Sequence, residues 1–431
     1  MPSPSASPIS LWRAPWQWLA AFPSRFQRRT SSGTYRPEID GLRFFAIALV
    51  VVGHLMERAV RFFPSYQAML ESNPVARYLQ FSPGLGVELF FAISGFIIAT
   101  QARKAGKSPL NGSFLKAYFV RRILRIEPPY MIVLLATWAF VGLTGFVPDK
   151  THQFFTAPDS LNLSLLGSVF YVHDLVWGTY PRLFPLGWSL EVEVQFYILA
   201  PLLLWLWLRC DDVASRALLA AIGLFLGSYL SVLGLQQIGG LHVYNSILRA
   251  FHFFWLGIVL AQCQGLIRAK AAALPPALAT AMGWLSLVGY LALPYESEDI
   301  SLAFAIRFAT LLAFTAMFAS AFAPQSGFRR FCAWPWISLL GGACYSLYIV
   351  HMQPIHLMSS LAGKFAPGLP LAGVFAFMAA QVVIVAAMGL TFYVAVERVF
   401  MRPEWHLAAL GGLRRVVGRQ AAKHVAAAPS R

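Results

Sequence analysis

Ten long apolar runs follow one another along the chain, divided by shorter polar stretches. Their approximate extents are 41–57, 84–101, 128–147, 189–208, 216–235, 245–263, 275–293, 302–323, 336–357 and 371–396. Most reach the roughly 17–25 residues an α-helix needs to cross bilayer hydrocarbon. Unbroken runs are not the two-residue alternation of a membrane β-barrel, so closed barrels are excluded. The pattern predicts an all-α, polytopic transmembrane helix bundle of about ten spans. Residues 161–177, LNLSLLGSVFYVHDLVW, are more polar and are expected to form a re-entrant or interfacial piece. No clear internal repeat is present, which weakly disfavours a transporter built from inverted repeats.

Composition agrees with the pattern. Of 431 residues, 58% are hydrophobic and only 12% charged, and the mean hydropathy is +0.61. A soluble domain carries about 25% charged residues. The formal net charge of +16 would suggest nucleic acid on a soluble domain. Here the basic residues lie between apolar runs, so no nucleic-acid partner is expected. Of the 34 Lys and Arg, 26 fall on the side that holds both termini and 6 on the other, with Arg249 and Arg307 inside runs. Basic residues accumulate on the cytoplasmic side, so both termini are expected there. Residues 148–188, with His152, His173, Asp174 and several aromatics, then form the one outer loop large enough for a lid or an acceptor site.

Three regions are expected: residues 1–35 as a cytoplasmic or interfacial segment, 36–403 as the transmembrane domain, and 404–431 as a basic cytoplasmic tail. The first mixes Trp12, Trp16, Trp18, Phe22 and Phe26 with Arg13, Arg25, Arg28 and Arg29, which suits either a membrane surface or a disordered tail. Cys210, Cys263, Cys332 and Cys344 form no CxxC pair and read as small buried hydrophobes. Neither HExxH nor a Cys/His ligand pattern occurs, so no metal is expected.

Within GLRFFAIALVVVGHL (41–55), Arg43 and His54 are eleven residues apart. On a helix that puts them about 20° apart around the axis and roughly 16 Å apart along it. Such groups in a span usually face a protein interior or a wet cavity. The competing reading makes Arg43 a cytoplasmic anchor and His54 a packed polar side chain.

YRPEIDGLRFFAIALVVVGHL resembles the first helix of the acyltransferase-3 family, integral membrane proteins that acylate surface sugars and related acceptors. GVELFFAISGFII (86–98) resembles its second helix, and FVRRILRIEPPY (119–130) its basic loop and proline-containing helix start. LGWSLEVEVQFYILAPLL (186–203) is similar to its WSLxVExxFY block, LLGGACYSLYIVHMQPI (339–355) to its SYSLYxxH block, and VERVFMRP (396–403) to its last-helix exit. The matches run in order from residue 35 to about 403. Two departures stand out: Val194 follows Glu193 where the family often has a second acid, and Cys344 replaces the serine before the tyrosine.

The resemblance implies a cytoplasmic acyl-CoA cosubstrate, acetyl-CoA being the commonest, and no bound cofactor. It makes His54 the base for an acceptor hydroxyl, or a transient acyl carrier, and Arg43 a group that orients the donor or steadies charge on the thioester oxygen. Arg122 and Arg125 are donor-phosphate candidates, because a guanidinium matches phosphate oxygens with a rigid fork of donors. Arg121 and Lys116 read as ordinary cytoplasmic charge. Glu88 and Glu193 are acids that can orient His54, hold Arg43 or bind a sugar hydroxyl, or else pair with an intramembrane arginine such as Arg249 or Arg307. Trp188, Ser189 and Tyr197 suit sugar contacts or interfacial anchoring, and Ser346, Tyr348 and His351 pocket lining or a second relay. His252 and His356 read as satisfied polar groups.

Taken together, the sequence reads as a multi-pass protein of the plasma membrane, by family resemblance the bacterial inner membrane. Its expected activity moves an acyl group from acyl-CoA to a hydroxyl of an envelope glycan, exopolysaccharide or lipid-linked saccharide. The alternatives are an exporter of a glycan or lipid intermediate, and a non-catalytic scaffold, which leaves buried Arg, Glu and His unexplained.

Overall fold

The first apolar run begins at Pro37, whose fixed φ and missing N–H suit the first helical position. It continues as α1 (Pro37–Phe62). Two short helices, α2 (Pro64–Ser72) and α3 (Pro74–Tyr78), again opened by proline, lead into α4 (Gly84–Ala105). The computed structural model describes residues 22–23, 25–26, 35–80, 82–105, 108–145, 157–295 and 297–401. His152, the tryptophans near the N-terminus and the basic tail lie outside the described residues.

Helix α5 (Gly112–Thr144) is capped by Asn111, whose Oδ1 accepts from Ser113 N at 3.0 Å, and ends at Gly145 with φ 62°. The basic stretch 119–125, expected as a loop, is therefore helical. Pro128 and Pro129 lie inside this helix and remove two N–H donors, which neighbouring helices can offset in a bundle. Just before the prolines, the Tyr345 hydroxyl donates to Ile126 O at 2.6 Å and ties α5 to a neighbouring helix. At 1.5 Å per residue α5 is about 50 Å long, well beyond the ~30 Å of hydrocarbon.

The polar segment forms α6 (Leu161–Val169) and α7 (His173–Trp177), both too short to cross a membrane. Then come α8 (Gly187–Arg209), α9 (Val213–Leu233) and a small antiparallel hairpin of β1 (Gln237–Ile238) and β2 (Leu241–His242). Helix α10 (Ile247–Gln262) bends by 69° into α11 (Gln264–Ala272). The rest is α12 (Pro276–Leu291), α13 (Ile300–Phe322), α14 (Gly327–Cys332), α15 (Pro335–Gly342), α16 (Cys344–Val350), α17 (Met352–Phe365) and α18 (Leu371–Phe392). A π-helical turn over Tyr393–Glu397 carries α18 into a last short turn.

All ten apolar runs are helical, but only seven give a single helix long and apolar enough to cross a membrane, or eight if the bent α10–α11 pair is one span. The seventh run, α12, has 16 residues. The ninth run, expected as one span over 336–357, is broken at Ala343 and at His351 into α15, α16 and α17. The chain is thus a multi-pass helical membrane protein in which three of the ten runs are short, bent or broken.

Helix α1 is the axis of the bundle: 78% of its apolar window is buried, against 17% for α9 at the rim. Small residues let the backbones meet. Gly95 of α4 sits against Phe254 of α10, and Gly257 of α10 against Ala92 of α4, so a side chain at either would strike backbone. Gly86 meets the Ala46 carbonyl in the same way, joining α4 to α1, and Gly341 meets Asp40. Close approach through small residues is the usual basis of helix association where lipid removes the hydrophobic drive.

Candidate functional site

Helical spacing builds a partly open cavity, of about 80 Å³, from five elements. Ser189, Glu193 and Tyr197 recur every four residues and form one stripe of α8. Phe90, Ser94 and Ile97 face it from α4, Arg122 and Arg125 from α5, and Cys344, Tyr345 and Tyr348 from α16. Arg43 completes the wall from α1.

The polar contacts are specific. Glu193 Oε1 accepts from Ser94 Oγ at 2.9 Å and from the Tyr197 hydroxyl at 2.5 Å. Ser189 Oγ lies 2.6 Å from the Tyr348 hydroxyl, which donates to Leu186 O at 3.0 Å. Arg122 donates to Gln101 Oε1, and its guanidinium lies 5.9 Å from the Tyr118 ring centre and 5.6 Å from that of Tyr197. Arg125 feels Glu193, Tyr197, Cys344 and Glu397 electrostatically. Arg43 Nη1 donates to Asp40 Oδ1 at 2.7 Å. Three guanidinium groups and one carboxylate thus border one cavity, which makes it electropositive and suited to an anionic or strongly polarised ligand.

His54 is not on the cavity wall. Its ring centroid lies 5.3 Å from that of His351, which in turn lies 5.8 Å from that of Tyr348, a wall residue. His351 sits at the break between α16 and α17. Its Nδ1–H donates to Tyr348 O at 2.8 Å and Leu347 O at 3.1 Å. The buried Nε2 has no hydrogen-bond partner among the described residues. His54 Nδ1 lies 2.8 Å from Glu57 Oε2.

Neither acid named from the sequence meets His54 through its hydrogen bonds. Glu88 accepts from Arg307 Nη1 at 3.0 Å and from the Tyr290 hydroxyl at 2.9 Å, which is a structural ion pair. Ser346 Oγ donates to Glu397 Oε2 at 2.6 Å, tying α16 to the last helix, and is not on the cavity wall. Trp188 is half-buried beside Tyr180 and also off the wall. Lys116 and Arg121 are exposed. Arg249 lies over the Tyr244 ring, and His356 contacts Arg58 and the Phe62 ring. His252, expected as a satisfied group, is fully buried against Phe253 with neither ring nitrogen hydrogen-bonded among the described residues.

Asp40, Glu57, Ser94, Gln101 and Glu397 were not singled out from the sequence. Glu57 carries a readable signal, since it follows His54 by three residues on a helix. Ser94 and Glu397 do not, because their partners lie on other helices.

Outside the spans, His173 Nε2 lies 3.0 Å from Ser164 Oγ, and its Nδ1–H donates to Thr179 O at 3.0 Å. Burial lowers this imidazole to about 4. Asp174 accepts from Asn245 Nδ2 at 2.8 Å, and burial raises its carboxyl to about 6. Glu191 accepts from the backbone N–H groups of both residues and holds the short α7 against α8.

Among curated proteins, the chain is 28% identical over 207 residues to "Putative peptidoglycan O-acetyltransferase YrhL" of Bacillus subtilis (strain 168), covering 45% of this chain and 27% of the relative. It is 29% identical over 205 residues to "Nodulation protein 10" of Rhizobium leguminosarum bv. viciae, covering 45% and 51%. It is 26% identical over 182 residues to "Putative O-acetyltransferase SAS0844" of Staphylococcus aureus (strain MSSA476), covering 39% and 25%. The matched stretches span about a quarter to a half of these relatives' lengths. No solved structure matches the chain. The model of the acyltransferase domain family, Acyl_transf_3, matches residues 36–396, the same stretch that carries the cavity and the His54–His351 pair, and the chain belongs to that family.

Proposed function

We propose that this protein is a membrane O-acyltransferase that moves an acyl group, acetyl in the first instance, from acyl-CoA to a hydroxyl of a cell-envelope glycan or lipid-linked saccharide. The observation that carries the reading is the convergence of Arg43, Arg122, Arg125 and Glu193 on one cavity, with His54 and His351 behind its Tyr348 wall. The chain ends lie in the cytoplasm, and ten helical passages alternate across the bacterial inner membrane, the short, bent and broken runs among them.

The arginines receive the donor. Arg122 and Arg125 take phosphate oxygens of CoA with charge-assisted hydrogen bonds. The roughly 16 Å between Arg43 and His54 along α1 is too far for both to hold one carbonyl, so Arg43 orients the donor and His54 serves the acceptor. His54 removes the acceptor proton as its oxygen attacks the thioester carbonyl. The new C–O bond forms, the C–S bond breaks, and the departing CoA thiolate recovers the proton. Glu193, held by Ser94 and Tyr197, is a fixed acceptor for a donor amide or a sugar hydroxyl. The name of one relative, a putative peptidoglycan O-acetyltransferase, favours a carbohydrate acceptor.

Radiolabelled acetyl-CoA offered to the protein in proteoliposomes with an envelope glycan fraction tests this. Label recovered in the glycan supports transfer. Label or glycan that crosses the membrane unchanged supports export and overturns the proposal.

A further inference from the structure

We propose that Glu57 is the positioning residue that selects which nitrogen of His54 acts as base, an inference that rests on the acyl-transfer reading above. Glu57 lies one turn beyond His54 on α1, with its Oε2 2.8 Å from His54 Nδ1. A carboxylate there accepts the Nδ1 proton, so the ring keeps its lone pair on Nε2. The carboxylate also stabilises the imidazolium that forms when the hydroxyl proton is taken up. Glu57 itself touches neither acyl group nor hydroxyl.

The surroundings leave this task to Glu57. Glu193 is held by Ser94 and Tyr197, and Glu88 by Arg307 and Tyr290. Packed close to His54 is His351, whose own Nδ1 is tied to backbone carbonyls and so leaves Nε2 as an acceptor. Among the described residues neither imidazole uses its Nε2 for a hydrogen bond within the fold, and both can meet a hydroxyl. A purely structural role explains the contact poorly: the Glu57 side chain is 43% exposed, that of His54 11%, and half-exposed ion pairs contribute little to stability.

In the step, the acceptor O–H bond breaks and its proton goes to His54 Nε2. The acceptor oxygen bonds the acyl carbon, CoA leaves as thiolate, and the imidazolium returns the proton to sulfur. Glu57 stays a carboxylate throughout.

The test combines nitrogen-15 NMR of histidine-labelled protein, with His54 assigned from His54→Asn, and steady-state kinetics with acetyl-CoA and glycan. In wild type His54 is expected as the Nδ1-protonated tautomer. In Glu57→Leu it becomes a mixture, and kcat falls roughly tenfold or more while the donor KM holds. Glu57→Gln, whose amide oxygen still accepts from Nδ1, keeps the tautomer and loses less. Identical His54 signals in wild type and Glu57→Leu overturn the proposal. So does an unchanged kcat in Glu57→Leu when His54→Ala is inactive. A tautomer change with no turnover in wild type overturns the acyl-transfer reading itself, and the role of Glu57 with it.

Discussion

Arg122 is buried between two tyrosine rings on the cavity wall, whereas its neighbour Arg121 is exposed. A helix turns 100° per residue, so Arg121 is rotated away from the side of α5 that carries Arg122 and Arg125. Charge-assisted hydrogen bonds are worth about 1.5–3 kcal/mol, so Arg122→Ala is expected to weaken CoA binding by on the order of tenfold or more. Arg121→Ala is expected to leave it nearly unchanged, and equilibrium dialysis of CoA against the purified variants checks both. Much of the lining of the candidate cavity was legible at this scale. Arg43, Arg122, Arg125, Ser189, Glu193, Tyr197 and Tyr348 were chosen from the sequence and line one cavity, whereas His54, Glu88, Trp188, Ser346 and His351, also chosen, lie off its wall. The destinations of the carboxylates were legible only in part. Glu88 meets Arg307, one of the two intramembrane arginines the sequence offered it, but which of the two it meets depends on how α4 and α13 pack. Glu57, by contrast, follows from the rule that residues three apart on a helix are neighbours.

At the scale of elements, the hydrophobic runs located each of the seven long apolar helices among the described residues, but not where a run is bent or broken. The ninth run stays apolar through Ala343, so its hydropathy does not announce the break that lets Tyr348 face the cavity and His351 meet His54; the one local signal is the Gly341–Gly342 pair just before it. The polar segment 161–177 does form two short helices, held by the His173 and Asp174 contacts. Its response to acid follows from those contacts. His173 is lowered from 6.5 to about 4, so the unfolded loop binds a proton that the folded loop refuses. Its contribution is therefore lost as pH falls through that window. Asp174 is raised from 3.8 to about 6, so the folded loop binds the extra proton and acid favours folding between those values. The two effects oppose each other. Asp174→Asn removes the one that favours folding in acid. Relative to wild type, the variant loop is expected to lose protease resistance as pH falls from about 6 to 4, which limited proteolysis across pH reads directly. The same pH response in variant and wild type would contradict this.

For the whole molecule, the uneven placement of basic charge and the central position of α1 describe one arrangement. Arg43 lies near the start of α1 and shares the cavity wall with Arg122 and Arg125, whereas His54 and Glu57 lie roughly three to four turns further along the helix and off that wall. The family assignment rests on the whole stretch 36–396, whereas the division of labour rests on the geometry within it. The most direct test is the rate of free CoA thiol release from acetyl-CoA, with and without an envelope glycan fraction, for wild type beside His54→Ala, with CoA binding measured on both. The account predicts glycan-dependent release in wild type, its loss in His54→Ala, and equal CoA binding by the two. Equal release by both proteins would remove His54 from the chemistry and contradict the account.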